Sequence, residues 1–216
     1  MLIAGPRDER LYKLVRLLIR IPFRLLFRMR IEGIENVPTH GAVLLAVNHV
    51  SNIDPVFIGV AAPRQAHFMA KSELWKSSAL GHVVEGLSAF PVRRGEADRE
   101  AIRTAVGYLS DGCVVGIFPE GTRQRAGRLG TALPGFALLA LREGVTTIPV
   151  ALSGTDRIAR GGIPRLPRVS VTFGASLDVG VEGLPRGERH QEIGARWMTR
   201  VGAMLGHVPA SSETVE

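Results

Sequence analysis

The sequence predicts an α/β domain with a mostly parallel central sheet flanked by helices, preceded by an N-terminal amphipathic helical segment suited to a membrane interface. Three observations carry the prediction. Short apolar runs of strand length alternate with helix-length stretches, the pattern of strands joined by crossover helices. Three of those runs end directly in polar clusters, and parallel sheets gather their functional groups at the carboxyl ends of strands. A basic but otherwise apolar segment, Arg10 to Arg30, precedes them all.

In that segment, "RLYKLVRLLIRIPFRLLFRMR", Arg16, Arg20, Arg24 and Arg28 recur every fourth residue. At about 100° per residue on a helix, the four fall within one arc of about 120°, which Arg10 and Lys13 join. Leu, Ile, Val, Phe and Met fill most of the remaining surface. Pro22 removes a backbone donor and is expected to kink the segment or split it in two. A charge every three or four residues argues against a membrane-crossing helix, which needs about 20 mostly apolar residues. A secretory signal would need an uninterrupted apolar centre and a cleavage site, and both are missing. The expected arrangement is a helix lying in the interface, its four arginines among anionic headgroups. The competing arrangement is a helix packed on the domain, its arginines reaching out to water.

The 216 residues suit one domain, and a hydrophobic content of 45% supplies its core. The expected organisation is a helical membrane-binding segment at 1–35, the α/β domain at 36–206 and a disordered tail at 207–216. The net charge is +7, yet residues 1–30 hold eight basic and two acidic side chains, so the rest of the chain is nearly neutral. That distribution does not suit a nucleic-acid partner. The single cysteine, Cys113, excludes an intrachain disulfide framework and reads as a small core residue. The six histidines show no metal-ligand spacing, so no metal is expected. Neither a phosphate loop nor a dinucleotide-binding turn is present.

In order along the chain, strands are expected at 42–47, 66–70, 87–92, 113–118, 146–152 and 168–174. Helices are expected at 55–61, 72–84, 96–109, 133–142 and 187–205. Residues 31–41, "IEGIENVPTHG", read as a turn-rich connection.

The three polar clusters are "NHVSNID", "RRG" and "PEGTR". His49 and Asp54 are five apart, which a helix would separate by about 140°. A loop entering a helix at Asp54–Pro55 can fold them together. The aspartate would then orient the imidazole, and the other ring nitrogen would take a hydroxyl proton. Alternatively, Asp54 only caps the helix. Ser51 lacks the flanking glycines of a nucleophile elbow, as do Ser88 in "GLSAF" and Ser153 in "ALSGT", so Ser51 reads as a turn residue. Arg93 and Arg94 suit a phosphate, or else form a solvated pair beside Glu96 and Asp98. Glu120, Gly121, Thr122 and Arg123 offer polyol and anion contacts, or else a plain strand-ending turn.

Taken together, "NHVSNID", "FPVRRG", "FPEGTR" and "TTIPVAL", in that order over about 105 residues, resemble the glycerolipid acyltransferases, in particular the bacterial 1-acylglycerol-3-phosphate (lysophosphatidic acid) acyltransferases. The resemblance implies an O-acyltransferase of phospholipid synthesis that makes phosphatidic acid. His49 would be the base and Asp54 its orienting partner, with no acyl-enzyme. Arg94, helped by Arg93 and Arg123, would hold the acceptor phosphate. Glu120, Gly121 and Thr122 would shape the glycerol-phosphate pocket, and Pro149 the acyl region. It implies no cofactor beyond the co-substrate, an acyl thioester of coenzyme A or of acyl carrier protein. Its partners would be membrane lipids, at the cytoplasmic face of the cell membrane in peripheral or monotopic association. The alternatives are the same chemistry on glycerol 3-phosphate, another lysophospholipid or a glycolipid, and a non-catalytic membrane-binding partner in lipid remodelling.

Overall fold

The computed structural model describes residues 9–71, 89–92, 99–124, 128–158 and 165–206. Its centre is a seven-stranded sheet in the order β1-β7-β6-β2-β5-β3-β4. The strands are β1 (Arg30–Glu32), β2 (Ala42–Val47), β3 (Ala66–Lys71), β4 (Ala89–Val92), β5 (Val114–Ile117), β6 (Val145–Ser153) and β7 (Ser170–Phe173). Every pairing is parallel except β6 with β7. The described helices are α1 (Glu9–Leu26), α2 (Asp54–Ala61), α3 (Arg99–Ser110), α4 (Pro134–Ala140) and α5 (Arg186–Met204). The expected α/β class and its mostly parallel sheet are therefore as read from the sequence. The helix expected at 72–84 and the tail at 207–216 lie outside the described residues.

β2 lies between β6 and β5, with Ala46 opposite both Pro149 and Ile117. Burial on both faces explains why β2, "AVLLAV", is apolar throughout. One face packs against α1 and α2 through Val43, Leu45, Phe57, Phe68 and Ile148. The other packs against α3, α4 and α5 through Leu44, Phe136, Leu139 and Trp197. The Trp197 indole N–H donates to the Ala46 carbonyl at 3.0 Å, tying α5 to the end of β2.

Pro149 stands in an interior strand, where a missing N–H normally breaks a ladder. Here it falls where β6 changes partner. The β6–β7 ladder starts at Val150 opposite Phe173, and just beyond it the Gly174 N–H donates to the Pro149 carbonyl at 2.8 Å. Pro149 is thus a buried sheet residue at a ladder's end.

α1 is one helix with Pro22 inside it, so the proline does not split it, and it departs from expectation by stopping at Leu26. The Met29 N–H donates to the Arg24 carbonyl at 3.0 Å and the Arg28 N–H to the Leu25 carbonyl at 3.3 Å, with Arg28 at φ 42°. That is a Schellman ending with arginine in the left-handed position glycine usually fills. Arg28 therefore leaves the helical stripe, and its guanidinium donates to the Leu166 carbonyl at 3.3 Å. The chain then enters the sheet as β1, inside the stretch grouped with the helical segment from sequence.

The wide apolar surface of α1 also divides. Phe23 and Phe27 pack on Phe57 of α2, with ring centroids 5.3 and 5.0 Å away. Leu17, Leu18, Ile21, Leu25 and Leu26 face outward, Leu25 being 73% exposed. Arg20 and Arg24 lie in the arc between the packed residues and Leu17 and Ile21. Among the described residues, no helix is long and apolar enough to cross a membrane.

One close approach in the sheet bears on the site. Phe68 of β3 lies opposite Gly116 of β5, and a Cβ on Gly116 would sit 2.0 Å from the Phe68 ring. Gly116→Ala is expected to destabilise the fold by about 1–3 kcal/mol through overpacking, read from the denaturant midpoint. An unchanged midpoint would show that the ring moves freely.

Candidate active site

The parallel register places the carboxyl ends of β2, β5 and β6 on one rim, so residues 48–54, 118–124 and 154–158 meet there. Beyond Val47 the β2 ladder ends and a side chain continues it. Asn48 Nδ2 donates to the Leu152 carbonyl at 2.9 Å, and the Leu152 N–H donates to Asn48 Oδ1 at 2.7 Å. This amide clamp holds the end of β6 while the main chain at His49 turns away.

The turn brings His49 and Asp54 together. His49 Nδ1 lies 2.9 Å from Asp54 Oδ2. The same oxygen accepts the N–H groups of Val50 at 2.8 Å and Ser51 at 2.7 Å. Oδ1 accepts the Thr155 hydroxyl at 2.6 Å. Asp54 is fully buried and His49 6% exposed. Val50, Ser51 and Thr155 all donate, so the carboxyl group acts as an acceptor and the ring proton belongs on Nδ1. Nε2 then carries the lone pair. Asp54 also begins α2, with Pro55 beside it in the first turn. It does not cap that helix, whose N-cap position is Ile53 with no side-chain cap hydrogen bond; its carboxyl oxygens are taken by His49, Val50, Ser51 and Thr155 instead. Phe118 stacks on the imidazole with centroids 4.0 Å apart and an interplanar angle of 23°. Ser51 serves Asp54 through its backbone N–H.

Glu120 is held inside the rim by main-chain groups. It is 4% exposed. Its Oε2 accepts the His49 backbone N–H at 2.8 Å, and its Oε1 accepts the Gly130 N–H at 3.0 Å. The Gln124 N–H in turn donates to the His49 carbonyl at 2.7 Å. The "PEGTR" loop therefore grips the main chain of the histidine from both sides. Burial raises the Glu120 carboxyl from 4.5 to about 7, against the opposing pull of its two N–H donors, and nearby Asp54 adds to the rise.

Gly121 follows at φ 66°, and a Cβ there would meet the Leu133 side chain at 2.3 Å. Thr122 and Arg123 are exposed. Arg123 lines a cavity of about 350 Å³ together with Ser51, Asn52, Thr155 and Asp156. Arg93 and Arg94 lie outside the described residues, just past β4, whose carboxyl end faces the same rim. Arg16, Arg20 and Arg24 are in α1, and Pro149 is in the sheet. The sequence reading missed Asn48, Phe118 and Thr155. The available signal for Thr155 is positional: like the three polar clusters, "SGT" stands at the carboxyl end of a rim strand, β6.

The acyltransferase family model matches residues 28–153, more than half of the chain. A 1-acyl-sn-glycerol-3-phosphate acyltransferase of Bacillus subtilis is 32% identical over 114 residues, 52% of this chain and 57% of that protein. One of Streptococcus pneumoniae is 32% identical over 139 residues, 63% of this chain and 50% of that protein. The chain thus spans about half the length of the curated relatives it matches. The crystal structure of the 1-acyl-sn-glycerophosphate acyltransferase PlsC from Thermotoga maritima superposes with a TM-score of 0.71 at 23% identity, covering 94% of this chain and 84% of that one, which shows a shared fold.

The raised Glu120 carboxyl makes a signed prediction. The native state holds a proton on Glu120 that the unfolded chain releases between pH 4.5 and about 7. Its contribution to stability is therefore largest below that window and declines as pH rises through it. The unfolding free energy of the native protein minus that of Glu120→Gln should fall by about 2–3 kcal/mol between pH 4.5 and pH 7.5. A difference independent of pH would show that Glu120 titrates in the folded protein as it does in the unfolded chain.

Proposed function

The chain belongs to the acyltransferase family, and from that premise we propose that it transfers a fatty acyl group from a thioester to the free hydroxyl of 1-acylglycerol 3-phosphate, giving phosphatidic acid at a membrane surface. The observation that carries this reading is the buried His49–Asp54 pair, Nδ1 to Oδ2 at 2.9 Å, a contact that assigns Nε2 the part of the base in this reading. The acceptor hydroxyl approaches Nε2 and attacks the thioester carbonyl as its proton passes to the imidazole. The tetrahedral adduct collapses, breaking the C–S bond, and the departing sulfur takes that proton back. Asp54 stabilises the transient imidazolium. No acyl-enzyme forms, because the attacking oxygen is the lipid's own.

The donor is an acyl thioester of coenzyme A or of acyl carrier protein. Arg94, with Arg93 and the cavity-lining Arg123, meets the acceptor phosphate, for which a guanidinium fork is suited. Gly121 and Thr122 border that pocket. Glu120 shapes it indirectly, through the main chain of His49 and Gly130. Pro149 supports the acyl region from within the sheet. α1 lies at the cytoplasmic face of the membrane in peripheral or monotopic association, its outward leucines in the acyl boundary and Arg16, Arg20 and Arg24 at the headgroups. Arg28 flanks them from the turn.

His49→Ala and Asp54→Asn should each lower turnover of lysophosphatidic acid with an acyl-coenzyme A donor by about 10²- to 10⁴-fold, with an unchanged circular dichroism spectrum. Full activity in either variant would remove the mechanism. Glycerol 3-phosphate run in parallel reports the acceptor, and faster turnover of it would reassign the substrate. For α1, replacing Leu17, Ile21 and Leu25 together with serine should weaken binding to anionic vesicles by more than about tenfold while leaving the fold intact. Unchanged vesicle binding would place the membrane contact elsewhere.

A further inference from the structure

We infer that Thr155 is a positioning residue for the His49–Asp54 pair, fixing through its hydroxyl the plane of the Asp54 carboxylate and hence the tilt and tautomer of the imidazole. Three donors converge on Oδ2 alone: His49 Nδ1 and the backbone N–H groups of Val50 and Ser51. All three come from the same short loop. Bonds to a single oxygen leave the carboxylate free to swing its second oxygen about that anchor. The Thr155 hydroxyl holds Oδ1 at 2.6 Å, from 101 residues away in the chain. Thr155 is 1% exposed and Asp54 0%, so the bond joins two buried groups, where leaving one partner unsatisfied is costly.

The surrounding fold delivers this hydroxyl with little freedom. Asn48 clamps Leu152 three residues earlier, beside His49 itself. Gly154 then turns the chain at φ 93°, where a Cβ would lie 2.2 Å from the Arg168 carbonyl oxygen. Threonine is β-branched, so its χ1 is already restricted. Thr155 lies two residues past the stretch that the family model matches.

The kinetic test rests on the acyl-transfer reading; a spectroscopic test does not. Thr155→Val keeps the shape and removes the hydroxyl. Its kcat for lysophosphatidic acid should fall about tenfold to a hundredfold, with KM within about twofold of the native value, as for other residues that orient a reacting group from behind. Thr155→Ser should recover kcat to within about threefold. In ¹⁵N-histidine spectra, assigned with His49→Ala, the native protein and Thr155→Ser should show His49 as the Nδ1–H tautomer, and Thr155→Val a mixture. Native kcat in Thr155→Val, a loss that serine does not recover, or an unaltered His49 spectrum would each overturn the inference. If the native protein fails to acylate lysophosphatidic acid, the acyl-transfer reading falls, and the nitrogen spectra alone decide the role of Thr155.

Discussion

A carboxylate with no access to water is the constraint on which the rest of this site depends. An unpaired buried charge costs several kcal/mol, so Asp54 persists in the core only because donors surround it. Four donors do, from two parts of the chain. Meeting that demand shapes the loop after β2 into a tight turn, since the Val50 and Ser51 N–H groups must point back at a side chain three and four residues ahead. The histidine lies at the mouth of this turn, and Phe118 closes one face of its ring. The electrostatic requirement of one buried group thus orders the loop that carries His49.

The sheet makes the demand satisfiable. Parallel pairing of β2 with both neighbours puts three strand ends on one rim, so groups about 70 and 100 residues away reach His49 and Asp54 without long loops. β6 does two jobs there. It runs parallel with β2 through Val150, then carries on to pair antiparallel with β7. Pro149 marks that changeover, and the Asn48 clamp covers the stretch where β2 has already stopped. The extra length of β6 is what brings Thr155 over Asp54.

Much of this was legible in the sequence because it is local and periodic. The apolar runs that became β2, β5 and β6 are buried on both faces, so no polar alternation obscured them. The His49–Asp54 pair was readable because both residues sit in one loop. What stayed hidden is non-local or runs against the usual signals. The end of α1 was missed because Arg28, not glycine, takes the left-handed position, so nothing in the composition announces a stop. β1 was missed because three residues, one of them an exposed Arg30, carry too little pattern. The hold of Glu120 on His49 and Gly130 could not be read because its partners are backbone N–H groups, which have no sequence signature. Thr155 was invisible for the same reason that it matters: its partner lies across the sheet rim, far along the chain.

The divided face of α1 connects the two halves of the proposed function. A helix that only lay on lipid would have no fixed relation to the domain behind it. Here one side of α1 is held by the Phe23, Phe27 and Phe57 rings, each such contact adding about 0.5–1.5 kcal/mol beyond buried area. The segment after it is held by the paired main chains of Phe27, Arg30 and Val169. Phe57 stands one turn into α2, the helix whose first residue is Asp54. The outward leucines, the aromatic clamp and the dyad therefore belong to one continuous packed unit. A surface that fixes the outward face of α1 fixes the direction in which the site opens. On the proposed function, an acceptor whose acyl chain stayed in that surface would meet His49 with its headgroup already oriented, the gain of an interfacial enzyme over the same pair in free solution.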